Sequence, residues 1–156
     1  MRKTSLAFWG LAVPLAVLTS GLRGQDTEWI EVPLADNTYS EQAKAMRQDT
    51  IDIPLPGFGR LEYKLGIQEG DAIVYRWTAI DLGEPEMLYA EFHGHTEPEP
   101  GEPGTVMFYR KAEGGDESGV LSAPFSGIHG WYLENRSSAP IVVRLEVAGF
   151  YELIEQ

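Results

Sequence analysis

The chain reads as an all-β protein, an antiparallel β-sandwich or jelly roll preceded by an N-terminal hydrophobic helix and a short helical spacer. Three observations predict this. Beyond residue 50, apolar and polar residues alternate with a period of two in one run after another. The runs are short and separated by turns rich in Gly, Pro, Asp and Glu. No segment there resembles the crossover helices that a parallel sheet needs.

The N-terminal segment opens with Arg2 and Lys3, after which residues 6–18 are wholly apolar apart from Gly10 and Pro14, and Thr19-Ser20-Gly21 follows. This is the layout of an export signal. A spanning helix needs about 20 apolar residues, whereas a cleaved signal needs an apolar region of about 7–15 followed by small residues. Thr19 and Gly21 suit cleavage; Phe8, Trp9 and the lack of an Ala-x-Ala suit retention. Residues 1–24 are therefore read as a signal peptide or a signal-anchor helix. Either outcome leaves Arg2 and Lys3 on the cytoplasmic side and delivers the rest to the periplasmic side of the inner membrane.

Residues 25–49 read as a polar spacer. Asn37 or Ser40 is placed to cap a short helix over residues 41–48, where Glu, Gln, Ala, Lys and Met favour one. Residues 50–156 form the β-sandwich domain. Ile51, Ile53 and Leu55 alternate with Asp52 and Pro54, and Leu61, Tyr63 and Leu65 with Glu62 and Lys64. Ile73, Tyr75, Trp77 and Ala79 share one face, as do Ile141, Val143, Leu145 and Val147. Between them lie shorter runs at 87–93, 106–110, 119–124 and 130–134, giving seven or eight strands with one face on a core and one in water. Residues 95–104 form a long, acidic, Pro-stiffened loop, and 112–119 a Gly-rich hairpin tip.

Charge and composition exclude several classes. All 24 acidic residues lie at Asp26 or later, and Arg2, Lys3 and Arg23 take three of the 12 basic ones, so 9 basic against 24 acidic residues leave −15 beyond Arg23. Such a domain repels nucleic acid and anionic headgroups. With no cysteine, the chain has no disulfide, thiolate metal site, Cys nucleophile or lipid-bearing Cys. No nucleophile elbow, phosphate-binding glycine loop or EF-hand loop is present.

Two groups of residues carry the chemistry that remains. His129, Trp131, Tyr132 and Asn135 lie within seven residues, in a segment read as a turn between strands where Gly127 and Gly130 permit positive φ. They form a candidate binding site, or else Trp131 fills the core while His129 and Asn135 tie the turn. Glu91, His93 and His95 fall on one face of a strand, opposite Leu88, Ala90 and Phe92. With His129 they would make a Cu or Zn site. The His-x-His followed by Glu99 also resembles the first metal motif of cupin jelly rolls, which gives a further alternative, a cupin-like metalloenzyme.

Residues 71–79 (Asp-Ala-Ile-Val-Tyr-Arg-Trp-Thr-Ala), 89–94 (Tyr-Ala-Glu-Phe-His-Gly) and 119–136, which contain Gly127-Ile128-His129-Gly130-Trp131-Tyr132-Leu133-Glu134-Asn135-Arg136, carry a family resemblance. In this order they resemble the small bacterial envelope proteins called transmembrane anchor proteins, over about residues 50–156. The block also has a distant likeness to the GOLD β-sandwich of secretory cargo receptors. The resemblance implies one membrane-proximal β domain outside the inner membrane, with no catalytic residues to carry over. The expected function is that of a non-enzymatic cell-envelope protein presenting a periplasm-facing interaction domain. It would need no cofactor, and its partner would be an envelope protein or ligand. The alternative is a periplasmic metal-binding protein using the His/Glu cluster.

Overall fold

Period-two alternation folds into two antiparallel sheets that close on one core. The computed structural model describes residues 30–155 apart from 37, 99 and 102. The chain divides into two units, Met1–Pro33 and Leu34–Gln156, and the second holds the sandwich. The signal or anchor helix expected over residues 1–24 lies outside the described residues. Among those described, no helix is long and apolar enough to cross a membrane.

The strands are β1 (Arg47–Leu55), β2 (Arg60–Ile67), β3 (Ala72–Ile80), β4 (Leu88–His95), β5 (Val106–Glu113), β6 (Asp116–Ser122), β7 (Gly127–Asn135), β8 (Ile141–Gly149) and the two-residue β9 (Glu152–Leu153). A single 3-10 turn at Pro85–Met87 precedes β4. The smaller sheet runs β1-β8-β3-β6 and the larger β5-β4-β7-β2-β9. The β5–β6 hairpin passes from one sheet to the other, so β5 and β6 share one lateral side of the sandwich. β1 and β9 lie at the other, where the Tyr151 hydroxyl donates to Asp49 at 2.7 Å.

The inward positions are the ones the alternation marks: Ile53 and Leu55, Leu65 and Ile67, Ile73, Tyr75 and Trp77, Leu88, Ala90 and Phe92, and Ile141 to Val147 at every second residue. At the centre, Phe92 stacks on Trp131 with ring centroids 4.6 Å apart and planes 6° from parallel. Tyr75 meets both rings edge-on at 5.0 Å. The space bounded by Ile53, Trp77, Trp131, Leu133, Val143 and Leu145 leaves no room for a water molecule. This space offers no open metal position, which cupin-like chemistry would require inside a barrel.

Three local expectations are corrected. The helix expected over residues 41–48 does not form: the chain bends at Ala43 and Lys44, and β1 has begun by Arg47. Lys44 reaches both Asp71 and Glu152 at 3.6 Å, and β1 pairs with β8 from Arg47↔Gly149 onward. Ladder bonds to a neighbouring strand outweigh a weak helix propensity. The tip expected over 112–119 shrinks to Gly114 and Gly115, because the strands on both sides extend into it. His129-Gly130-Trp131 is no turn; it lies inside β7. Among the described glycines, positive φ occurs at Gly70, Gly101 and Gly149 rather than at Gly127 or Gly130.

Candidate functional site

β7 is the central strand of the larger sheet, and its two faces have different jobs. His129, Trp131, Leu133 and Asn135 point inward, with His129 0%, Trp131 1% and Asn135 1% exposed. Three of the four residues read as a binding site are therefore sealed from any partner and act from within. Asn135 donates through Nδ2 to the carbonyls of Pro56 at 3.0 Å and Ala139 at 2.8 Å. Its Oδ1 accepts from the Ser137 backbone N–H at 3.0 Å and hydroxyl at 2.8 Å. One amide thus fastens the β1–β2 and β7–β8 connections to each other, satisfying groups that would otherwise be buried without partners.

His129 closes the other end of the core. Its Nε2 lies 3.0 Å from the Phe125 carbonyl and its Nδ1 2.8 Å from the Tyr109 hydroxyl. A carbonyl only accepts, so Nε2 carries the proton and Nδ1 accepts from Tyr109. Gly94, on the facing position of β4, makes room for the pair: a Cβ there would lie 2.3 Å from His129 Nδ1 and 2.5 Å from the Tyr109 oxygen. Burial lowers the His129 pKa, against a smaller opposing effect of the Phe125 carbonyl. Burial also pushes the Tyr109 phenol up to about 12.

This neutral imidazole makes stability pH-dependent. Its folded pKa is below the ordinary 6.5, so the unfolded chain binds more protons in the window just below that value. The contribution is fully present above about pH 6.5 and is lost as pH falls through the folded pKa. Urea midpoints at pH 7.5 and 5.5 should therefore drop on acidification, and the drop should shrink in His129→Gln. A wild-type drop that His129→Gln leaves unchanged would assign the effect to another group.

The outer face of the same sheet gathers the other residues. Register sets Glu62 of β2, Tyr132 of β7, Glu91 of β4 and Lys111 of β5 side by side across four strands. In the next row, His93 faces Gly130 on one side and Phe108 on the other. Because Gly130 has no side chain, the His93 ring reaches across β7, and its Nε2 comes within 2.9 Å of Glu62 Oε1. Burial raises the Glu62 pKa, but hydrogen bonds from Lys64 and His93 outweigh it and hold the carboxyl below its usual value. The His93 and His95 rings lie 6.2 Å apart, and Phe108 sits 5.6 Å from His93. The Lys111 ammonium lies 3.5 Å from the Phe108 ring centre and 3.5 Å from Glu91. The Tyr89 hydroxyl donates to Glu91 at 2.6 Å.

The expected metal set is thus divided. Glu91, His93 and His95 share the outer face, while His129 is on the inner face with both ring nitrogens engaged. Among the described residues, no three His, Cys, Asp or Glu side chains are grouped to hold a metal ion. His93 Nδ1 is buried without a hydrogen-bond partner. Sequence reasoning did not identify Glu62, Phe108, Tyr109 or Lys111. The parity of Glu62 was legible, but not the pairing that sets β2 and β5 on either side of β4 and β7, nor the irregularity in the β4–β5 register that separates Phe108 from Arg110.

No protein-family model matches the chain, and no curated protein matches it. Solved structures similar to it include the following two. One is the crystal structure of Aeromonas hydrophila PliG, a periplasmic lysozyme inhibitor of g-type lysozyme, with 17% identity and a TM-score of 0.43 over 71% of this chain and 93% of that one. The other is from Bacillus endospore appendages, which form a family of disulfide-linked pili, with 11% identity and a TM-score of 0.38 over 81% of this chain and 100% of that one.

Proposed function

We propose that this chain is a non-enzymatic cell-envelope protein, exported or anchored through residues 1–24, whose sandwich presents an interaction surface on the outer face of the larger sheet. The observation that carries the reading is the division of labour across β7. The inward polar side chains His129 and Asn135 are consumed by internal hydrogen bonds. The outer face instead sets Tyr89, Phe108 and Tyr132 among charged groups, the mixture of aromatic anchors and polar rim that protein interfaces use. The net charge of −15 beyond Arg23, from 9 basic and 24 acidic residues, argues for an envelope protein or ligand rather than nucleic acid as the partner.

The test combines address and surface. Alkaline phosphatase fused after Gln156 should be active, as it is only outside the cytoplasm. Tyr132→Ala with Phe108→Ala should leave the urea midpoint nearly unchanged, since wet-face substitutions cost about 0.5 kcal/mol or less. The same pair should abolish cross-linking to envelope protein from a photoreactive residue at position 95. An inactive fusion, or cross-linking unaffected by the pair, overturns the reading. The metal-binding alternative draws support from the nearness of the His93 and His95 rings on the outer face. Stoichiometric Cu or Zn, lost in His93→Ala/His95→Ala, would favour it.

A further inference from the structure

Residues 30–35, Ile-Glu-Val-Pro-Leu-Ala, have the pattern of a β-strand but form none. Ile30, Val32 and Leu34 alternate with Glu31 and Pro33, and they are 86%, 76% and 68% exposed. A short stretch of alternating apolar residues held in water is unfavourable unless something covers it. Pro33 makes the pattern more specific. In a strand the backbone groups of alternate residues point to the same side, so if Ile30, Val32 and Leu34 face a ladder, Pro33 faces away, where its missing N–H costs nothing.

The sandwich has one edge suited to receive such a strand. Sheet edges are usually blunted by charge, proline or shortness. β1 carries Asp49, Asp52 and Pro54, β6 opens on Asp116 and Glu117, and β9 has two residues. β5 terminates the larger sheet and begins Val106-Met107-Phe108, three uncharged residues that are 54%, 44% and 48% exposed and precede the irregularity in its pairing with β4. Arg110 and Lys111 follow, and although they pair with Glu117 and Glu91 they remain largely exposed. They would meet Glu31 and Asp36 of the acidic segment. The segment precedes β1 in the chain, and β1 lies at the lateral side of the sandwich opposite β5.

We propose that residues 30–35 of one copy add as a strand to the free edge of β5 in a second copy, joining chains head to tail. Such a contact is heterologous, and it builds open arrays rather than closed dimers. It concerns the edge of the sheet and not its outer face, so its failure leaves the interaction-face reading standing.

The absence of cysteine makes the test clean. Full-length Val32→Cys chain mixed with full-length Phe108→Cys chain under mild oxidation should give a mixed cross-linked species in preference to either homodimer. Val32→Asp should abolish it and reduce the sedimentation of the parent chain to that of a monomer, while its urea midpoint stays unchanged because Val32 is exposed. Three outcomes overturn the proposal. Phe108→Cys homodimers alone would mean that β5 pairs with its own copy. An intrachain disulfide at monomer mass in the doubly substituted chain would mean that each segment covers its own edge. A monomer that does not cross-link would mean that the edge is unused or taken by a different protein.

Discussion

Replacing Trp131 with alanine should cost about 4 kcal/mol of folding free energy, the range for deleting a large buried ring. Against a typical total of about 5–15 kcal/mol, that brings the domain close to unfolding. Trp131 is 1% exposed, stacks on Phe92 and receives the edge of Tyr75, and Tyr75 also meets Phe92, so removal of Trp131 takes one ring out of a mutually packed trio. The check is a urea titration followed by tyrosine fluorescence and far-ultraviolet dichroism. Trp131→Phe should cost much less: it keeps a ring in the stack and removes an indole N–H that is buried without a hydrogen-bond partner. Equal losses for the two variants would show that the N–H, and not the ring, is what the site requires. A stable Trp131→Ala domain that lost only binding would put Trp131 in an interface.

The second large effect is expected at Gly130. A Cβ added there would lie 1.9 Å from the Tyr63 carbonyl oxygen and 3.1 Å from the Lys64 Cα. Both atoms belong to the backbone of β2, so the clash is relieved only by parting β2 from β7. Gly130→Ala should cost about 3 kcal/mol, at the upper end for overpacking a strand interior. It should also move the His93 ring off Glu62, since that ring crosses β7 over Gly130. The control is Gly66→Ala on β2, where the nearest atom to an added Cβ is 3.7 Å away; its effect should stay within about 0.5 kcal/mol. The comparison uses urea midpoints, with the His93 ring proton shifts as a local readout. Similar costs at the two glycines would refute the steric account.

The fold class was legible because parity is a local property. Ile73, Tyr75 and Trp77, or Ile141, Val143 and Leu145, announce an inner face without any knowledge of the partner strand, and all six are buried. The same parity put Glu91, His93 and His95 on the outer face of β4. What parity cannot supply is strand order. Glu62 and His93 are 31 residues apart and two strands apart, and nothing in either segment points to the other. His129-Gly130-Trp131 was misread for a related reason. Glycine next to a polar ring suggests a turn when only neighbours in sequence are considered. Here each residue answers to a different strand: His129 to Tyr109 of β5, Gly130 to the backbone of β2, and Trp131 to Phe92 of β4. The Glu41–Gln48 stretch failed in the opposite direction: its helix-favouring composition is weak, and the ladder formed by β1 and β8 takes its last two residues, Arg47 and Gln48.

The strand order also sets a timetable. Among the described residues β1 pairs only with β8, and β2 only with β7 and β9, so these two strands have no partner there until most of the sandwich has been made. In the larger sheet only β4 and β5 are neighbours in both sequence and space, and one such hairpin is marginal by itself. A chain of this topology assembles late and slowly, on the millisecond-to-second scale of β proteins with distant pairings. Until residues 141–149 are available β1 has no partner and the smaller sheet lacks the strand that joins β1 to β3. A protein that must pass through a narrow channel before folding gains from that delay, and it is open to mispairing for just as long.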